Sequence, residues 1–117
     1  MWNRSKDKPA EIGLYIPHGK SQSGELAVEG DVRIDGNFTG KLHTEGTVYI
    51  GQKAFFQGTI DAGKVEIGGS FKGNMLAREE LHLLSTGRIE GAVDSKIAQV
   101  DKGGQLLGEA RILGGSG

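Results

Sequence analysis

Three features of the 117-residue sequence predict an all-β chain wound as a single-domain β-solenoid. Apolar and polar residues alternate almost without pause from Leu26 to Leu113, the signature of short half-buried strands. A short apolar-x-apolar pair recurs in steps of 16 or 17 residues. Glycine supplies 21 residues, more than twice the average share of roughly 7%, so the chain turns often and tightly.

The clearest repeats run from Val65 to Val93. Val65-Glu66-Ile67 is followed by Phe71-Lys72-Gly73-Asn74-Met75, and Leu81-His82-Leu83 by Ile89-Glu90-Gly91-Ala92-Val93. Across the chain the pairs begin at Val32, Val48, Val65, Leu81 and Ala98, and the matching bends carry Gly40, Gly58, Gly73, Gly91 and Gly108. Composition alone would produce about two or three apolar-x-Gly-x-apolar windows, and the chain holds eight. A two-layer sandwich would need hairpin dipeptides between its strands, and Asp35-Gly36 is the single example. In a solenoid, equivalent residues instead stack at about 4.8 Å. Phe38, Phe56, Phe71 and Ile89 then form an inward core ladder continued by Leu106, and the glycines form a second one where the chain bends or is crowded. The segment from Asn74 to Leu84 looks helical through Met75-Leu76-Ala77-Arg78-Glu79-Glu80-Leu81, but its place in the repeat predicts strand.

Residues 1–24 lack the repeat and are expected to form a flexible tail, with the solenoid spanning 25–113 and a flexible end at 114–117. The tail contains a near match to a phosphate-binding loop at Gly13 to Ser21. Five residues separate its glycines where four are needed, and a strand-like run follows where a helix should begin. Met1-Trp2 beside Arg4, Lys6 and Lys8 combines an interfacial aromatic with cations, a weak membrane signal that many copies would strengthen. The solvated-tail reading of those basic residues stands beside it.

Other functional classes fit less well. Balanced charge, net −1, provides no field for nucleic acid, and a chain without cysteine has no thiolate metal site or disulfide. No apolar run is long enough for a membrane-spanning helix, and Asn37-Phe38-Thr39 matches a glycosylation acceptor only by spelling. A hexapeptide-repeat acyltransferase would also be a solenoid, but it needs equal six-residue sides and a catalytic His. His18 lies in the predicted tail, while His43 and His82 fall on outward positions. Asp31, Asp35, Glu66, Glu90 and Asp94 are outward alternates near Arg33, Lys64, Arg88 and Lys96 and read as a mixed charged surface. No catalytic residue, cofactor or metal is therefore expected. A non-polymerising binding solenoid is the remaining alternative, with Tyr49 and Phe55 as its outward aromatics.

The ordered series FFQGTIDAGKVEIGGSFKG, FKGNM and LHLLSTGRIEGAV resembles the bactofilins, bacterial cytoskeletal proteins built on a compact right-handed β-helix, over about 25–112. The resemblance implies nucleotide-independent, nonpolar filaments that scaffold cell shape or wall enzymes at the inner face of the bacterial cytoplasmic membrane. It implies a homopolymer and an anionic lipid surface as partners, with cell-wall proteins as further candidates. It also supports Met1, Trp2, Arg4, Lys6 and Lys8 as a membrane-targeting segment. The end Leu113-Gly114-Gly115-Ser116-Gly117 departs from the family in lacking an aromatic finish.

Assembly follows from solenoid physics as well. An uncapped coil stack exposes backbone groups and core side chains at both ends. The expected N-terminal interface is Leu26, Val28, Val32 and Ile34, and the C-terminal one Leu106, Leu107, Ile112 and Leu113.

Overall fold

A computed structural model describes residues 12–112. Nine strands, β1 (Ile12–Ile16), β2 (Ser21–Val28), β3 (Asp31–Ile34), β4 (Asn37–Thr44), β5 (Thr47–Ile50), β6 (Phe55–Ile67), β7 (Ser70–Leu83), β8 (Arg88–Val100) and β9 (Gln105–Ile112), wind into six coils. Every pairing is parallel and joins one coil to the next. Each coil has three faces. The first is built by β1, β3, β5 and residues 64–67, 80–83 and 97–100; the second and third are the two halves of β2, β4 and their equivalents, bent at a glycine.

The register explains the uneven period. Each coil devotes four residues to the first face and eight to the other two. All variation sits at two corners. The corner after the first face has four residues at 17–20, 51–54, 84–87 and 101–104 but only two at 35–36 and 68–69. The corner after the third face has two residues at 29–30, 45–46 and 78–79 but one at Gly63 and at Lys96. Two short corners with two residues each make the 16-residue coils that begin at Val32 and Val65. A four-residue and a one-residue corner make the 17-residue coils from Val48 and Leu81. Gly36 and Gly69 therefore lie in narrow corners that nest inside the wide ones, where a side chain would overlap the backbone of the preceding coil. They are corners, as is Gly30, and not members of the bend series.

The bend is a ladder of its own. Gly24, Gly40, Gly58, Gly73, Gly91 and Gly108 lie in register, with φ between 122° and 136°, a conformation that only glycine adopts readily. From Gly40 onward, a Cβ would overlap the carbonyl oxygen of the glycine one coil earlier. Conformation and crowding both demand glycine.

Inside, five ladders fill the section. The aromatic one runs Phe38, Phe56, Phe71, Ile89, with Leu106 at its end. Its four predicted members are fully buried; the Phe38 and Phe56 rings stack with centroids 4.9 Å apart, and the Phe56 and Phe71 rings lie 5.4 Å apart and tilted. The others are Leu14–Val32–Val48–Val65–Leu81–Ala98, Ile16–Ile34–Ile50–Ile67–Leu83–Val100, Leu26–Leu42–Ile60–Met75–Val93–Ala110 and one of smaller residues that includes Thr44, Ala62, Ala77 and Ser95. The two buried hydroxyls are satisfied locally. Thr44 Oγ1 donates to the Gly30 carbonyl at 2.6 Å and accepts from the Gly46 N–H, while Ser95 Oγ donates to the Ile97 carbonyl at 2.7 Å.

The helix-like stretch from Asn74 to Leu84 is strand throughout, because Met75 pairs between Ile60 and Val93 and Leu81 between Val65 and Ala98. Tertiary pairing on both edges outweighs the helical propensity of Leu, Ala, Arg and Glu. One boundary differs from the expectation. Residues 12–24 are not tail: β1 and the start of β2 form the first coil, with Leu14 on Val32 and Gly24 on Gly40. Leu14-x-Ile16 is the first apolar pair of the series, spaced 18 residues from the next because its two corners have four and two residues.

Candidate polymerisation surfaces

The two ends of the stack are chemically unlike its sides. Among the described residues, β1 pairs only with β3 and β2 only with β4, while β9 and residues 97–100 pair only with the coil beneath. Each end thus presents one row of strand edge with free backbone donors and acceptors.

At the N-terminal end the inward positions are Leu14, Ile16, Gln22, Leu26 and Val28. Leu14, Leu26 and Val28 pack against the core while remaining half-buried. Of the predicted set, Leu26 and Val28 belong to this surface. Val32 and Ile34 do not: both are completely buried one coil further in, beneath β1. Leu14 takes their place, beside Ile16, which lies in the same coil but is itself buried. The signal for them was present, since they repeat the apolar pair, but Pro17 and the Ser/Gly-rich run after it read as loop.

At the C-terminal end the inward positions are Ala98, Val100, Leu106, Ala110 and Ile112. Leu106 is half-buried against the core, and Val100 and Ile112 are exposed by 53% and 46%. Leu107 points outward on the second face, 46% exposed, and Ile97 is similarly uncovered at the rim. Of the predicted set, Leu106 and Ile112 therefore lie on inward positions of this end together with Val100, while Leu107 lies on the adjoining outer face and Ile97 at the rim. Four of the seven large exposed hydrophobics of the described chain gather on this last coil. Leu113 lies outside the described residues, as do Met1, Trp2, Arg4, Lys6 and Lys8.

The sides carry ion pairs. Arg78 reaches across the one-residue corner at Gly63 to donate to Asp61 (2.6 Å), to the Thr44 carbonyl (3.0 Å) and to Glu45 (3.2 Å), tying three coils. His43 lies 3.1 Å from Asp61 on the third face, and His82 lies 3.0 Å from Asp101 on the first. The two histidines thus sit on different faces, each paired with a carboxylate. Arg33 and Asp35 form a close pair in which the carboxylate, through its hydrogen bond and its charge, raises the guanidinium pKa further. Among the described residues no group of three or more His, Cys, Asp or Glu has the geometry of a metal site, and no helix is long and apolar enough to cross a membrane.

A family model for bactofilins, described as polymer-forming cytoskeletal, matches residues 14–111. The chain belongs to the bactofilin family. Comparison with curated proteins and with solved structures gives no match. The span matched in this bactofilin begins at Leu14, within β1, and so takes in the first coil as well as the later repeats. It ends one residue before the end of β9, so the family unit coincides with the coil stack.

Proposed function

We propose that this bactofilin joins end to end, without nucleotide, into nonpolar filaments that lie on the inner face of the bacterial cytoplasmic membrane and scaffold cell shape or wall enzymes. The observation that supports the joining is the pair of open ends. Among the described residues each carries an unpaired strand edge and partly exposed core side chains, and burying either would remove apolar surface worth about 2.5 kcal/mol per 100 Å² before association costs. The charged sides, with Arg78 in ion pairs to Asp61 and Glu45 and with His43 and His82 each beside a carboxylate, favour solvent over lateral sheet pairing.

Family membership supports the cytoskeletal role, and the Met1-Trp2 segment with its cations supports the membrane, one weak tail per subunit summing along a filament. The acyltransferase reading has no support from the site geometry, because the paired histidines lie on separate faces.

Negative-stain electron microscopy of the purified full chain, with and without nucleotide, tests the proposal. Filaments are expected in both conditions, and Val100→Glu should leave folded, unpolymerised protein. Short particles alone at every salt and protein concentration would refute end-to-end assembly.

A further inference from the structure

Resting on that end-to-end reading, we infer that Gln22 determines which ends of this protein can meet. It is the residue that prevents the C-terminal end of one copy from seating on the N-terminal end of another.

Without Gln22 the two ends would be suited to continue the solenoid. Placing the last coil of one copy under the first coil of the next, in the register that every internal pair follows, sets Ala98 on Leu14, Val100 on Ile16, Ala110 on Leu26 and Ile112 on Val28. All four rungs are apolar. Gly108 would meet Gly24, whose Cβ position is empty space, whereas in every later coil the preceding glycine carbonyl occupies it. The wide corner 101–104 would meet the wide corner 17–20, as 84–87 already meets 101–104 within the fold.

The fifth rung is the exception. Gln22 pairs with Phe38 and so occupies the inward position of the aromatic ladder, where the approaching residue would be Leu106. A primary amide has two donors and two acceptor lone pairs, and Leu106 satisfies none of them. The neighbouring backbone groups would be engaged in the strand ladder. Thr44 and Ser95, the other polar inward residues, are tolerated because each hydroxyl reaches a backbone carbonyl, but among the described residues the Gln22 amide makes no such bond. Burying it against leucine leaves it unpaired in an apolar layer, which is costly. Like ends escape this conflict. Two C-terminal ends join apolar surface to apolar surface, and two N-terminal ends bring amide toward a surface that itself carries an amide. Glu25 and Glu109 would also face each other on the rim of an unlike junction, but solvated charges of this kind contribute little.

The absence of cysteine from the sequence allows a direct test. Two full-length single-cysteine chains, His18→Cys and Lys102→Cys, place thiols in the two wide corners that an unlike junction would superpose. They are mixed in equal amounts, polymerised, pelleted and oxidised, and the disulfide between the two different chains is quantified by mass spectrometry. The pair is then repeated with Gln22→Leu, and with Gln22→Met as a second apolar side chain of similar length should leucine impair folding. In the natural background the mixed disulfide is expected near background although the protein pellets. Either apolar variant is expected to raise it at least tenfold, about 1.4 kcal/mol in favour of the unlike junction. If all variants pellet and the mixed product stays at background, or if it is already abundant with Gln22 in place, the inference is overturned while end-to-end assembly stands. Failure of the natural chain to pellet under any condition would overturn the assembly reading, and this inference with it.

Discussion

Phe56→Ala tests the idea that the fold is held chiefly by its central ladders. Phe56 is completely buried in the third coil, with Phe38 4.9 Å away on one side and Phe71 5.4 Å away on the other. Truncation removes the ring and leaves a cavity between two coils whose backbones are fixed by strand pairing, so little collapse can fill it. Buried Phe→Ala changes cost about 3–5 kcal/mol, and losing two ring–ring contacts places this one toward the upper end. A domain of this size has about 5–15 kcal/mol in total, so a third or more of the stability should disappear. The measurement is guanidinium denaturation followed by far-ultraviolet circular dichroism in the Val100→Glu background, where polymer formation does not add to apparent stability. Leu106→Ala in the last coil is the internal control. Its side chain is only half-buried and has a rung on one side alone, so about 1–2 kcal/mol is expected from the area it loses. A loss at Phe56 below about 2 kcal/mol, or no greater than at Leu106, would refute the reasoning, because a cavity there would then cost no more than one near solvent.

Gly73→Ala combines an unfavourable φ of 136° with overlap on the Gly58 carbonyl, so at least about 3 kcal/mol should be lost, read as a lower denaturation midpoint or as insoluble protein. Arg78→Ala unties Asp61, Thr44 and Glu45 across three coils; because the side chain is partly solvated the expected loss is about 1 kcal/mol, and much of it should be absent in 1 M salt. Deleting Met1 to Lys8 should abolish co-sedimentation with anionic liposomes and leave filaments intact by electron microscopy; unchanged lipid binding would remove Trp2 and its neighbouring cations from the account.

Most of the architecture is legible in the sequence because a solenoid writes its register directly into the chain. Phe38, Phe56, Phe71 and Ile89 are one ladder in the sequence and in the structure, and the bend glycines fall on the same rungs. Alternating steps of 16 and 17 are visible too, although their cause is not, since corners of unequal length reveal themselves only when strands are paired. The first coil escapes notice for a physical reason. Its inward position on the aromatic ladder is Gln22, and its wide corner contains Pro17 and Gly19, so the local pattern is that of a loop until β3 and β4 supply partners. That same gap moved the expected N-terminal surface one coil inward, onto Val32 and Ile34. At the other end the sequence places Leu106 and Ile112 on inward positions of the last coil, because the apolar alternation continues to the end of β9 while no further coil follows among the described residues to cover it, whereas Leu107 falls on the outward side.

The division of each coil into twelve invariant strand residues and two adjustable corners makes the chain a ruler. Residues inserted at the tips of the wide corners, near 52–53 or 85–86, should leave the rungs in place, whereas the glycine edge has no room for any. Length along the axis changes only by whole coils, about 4.8 Å each. Duplicating residues 48–64 should therefore lengthen the subunit by one such step and leave both ends as they are. In a filament built by end contact, the axial repeat would grow by that amount for every subunit it contains, so with the junctions unchanged the number of coils sets the spacing of anything attached to the sides.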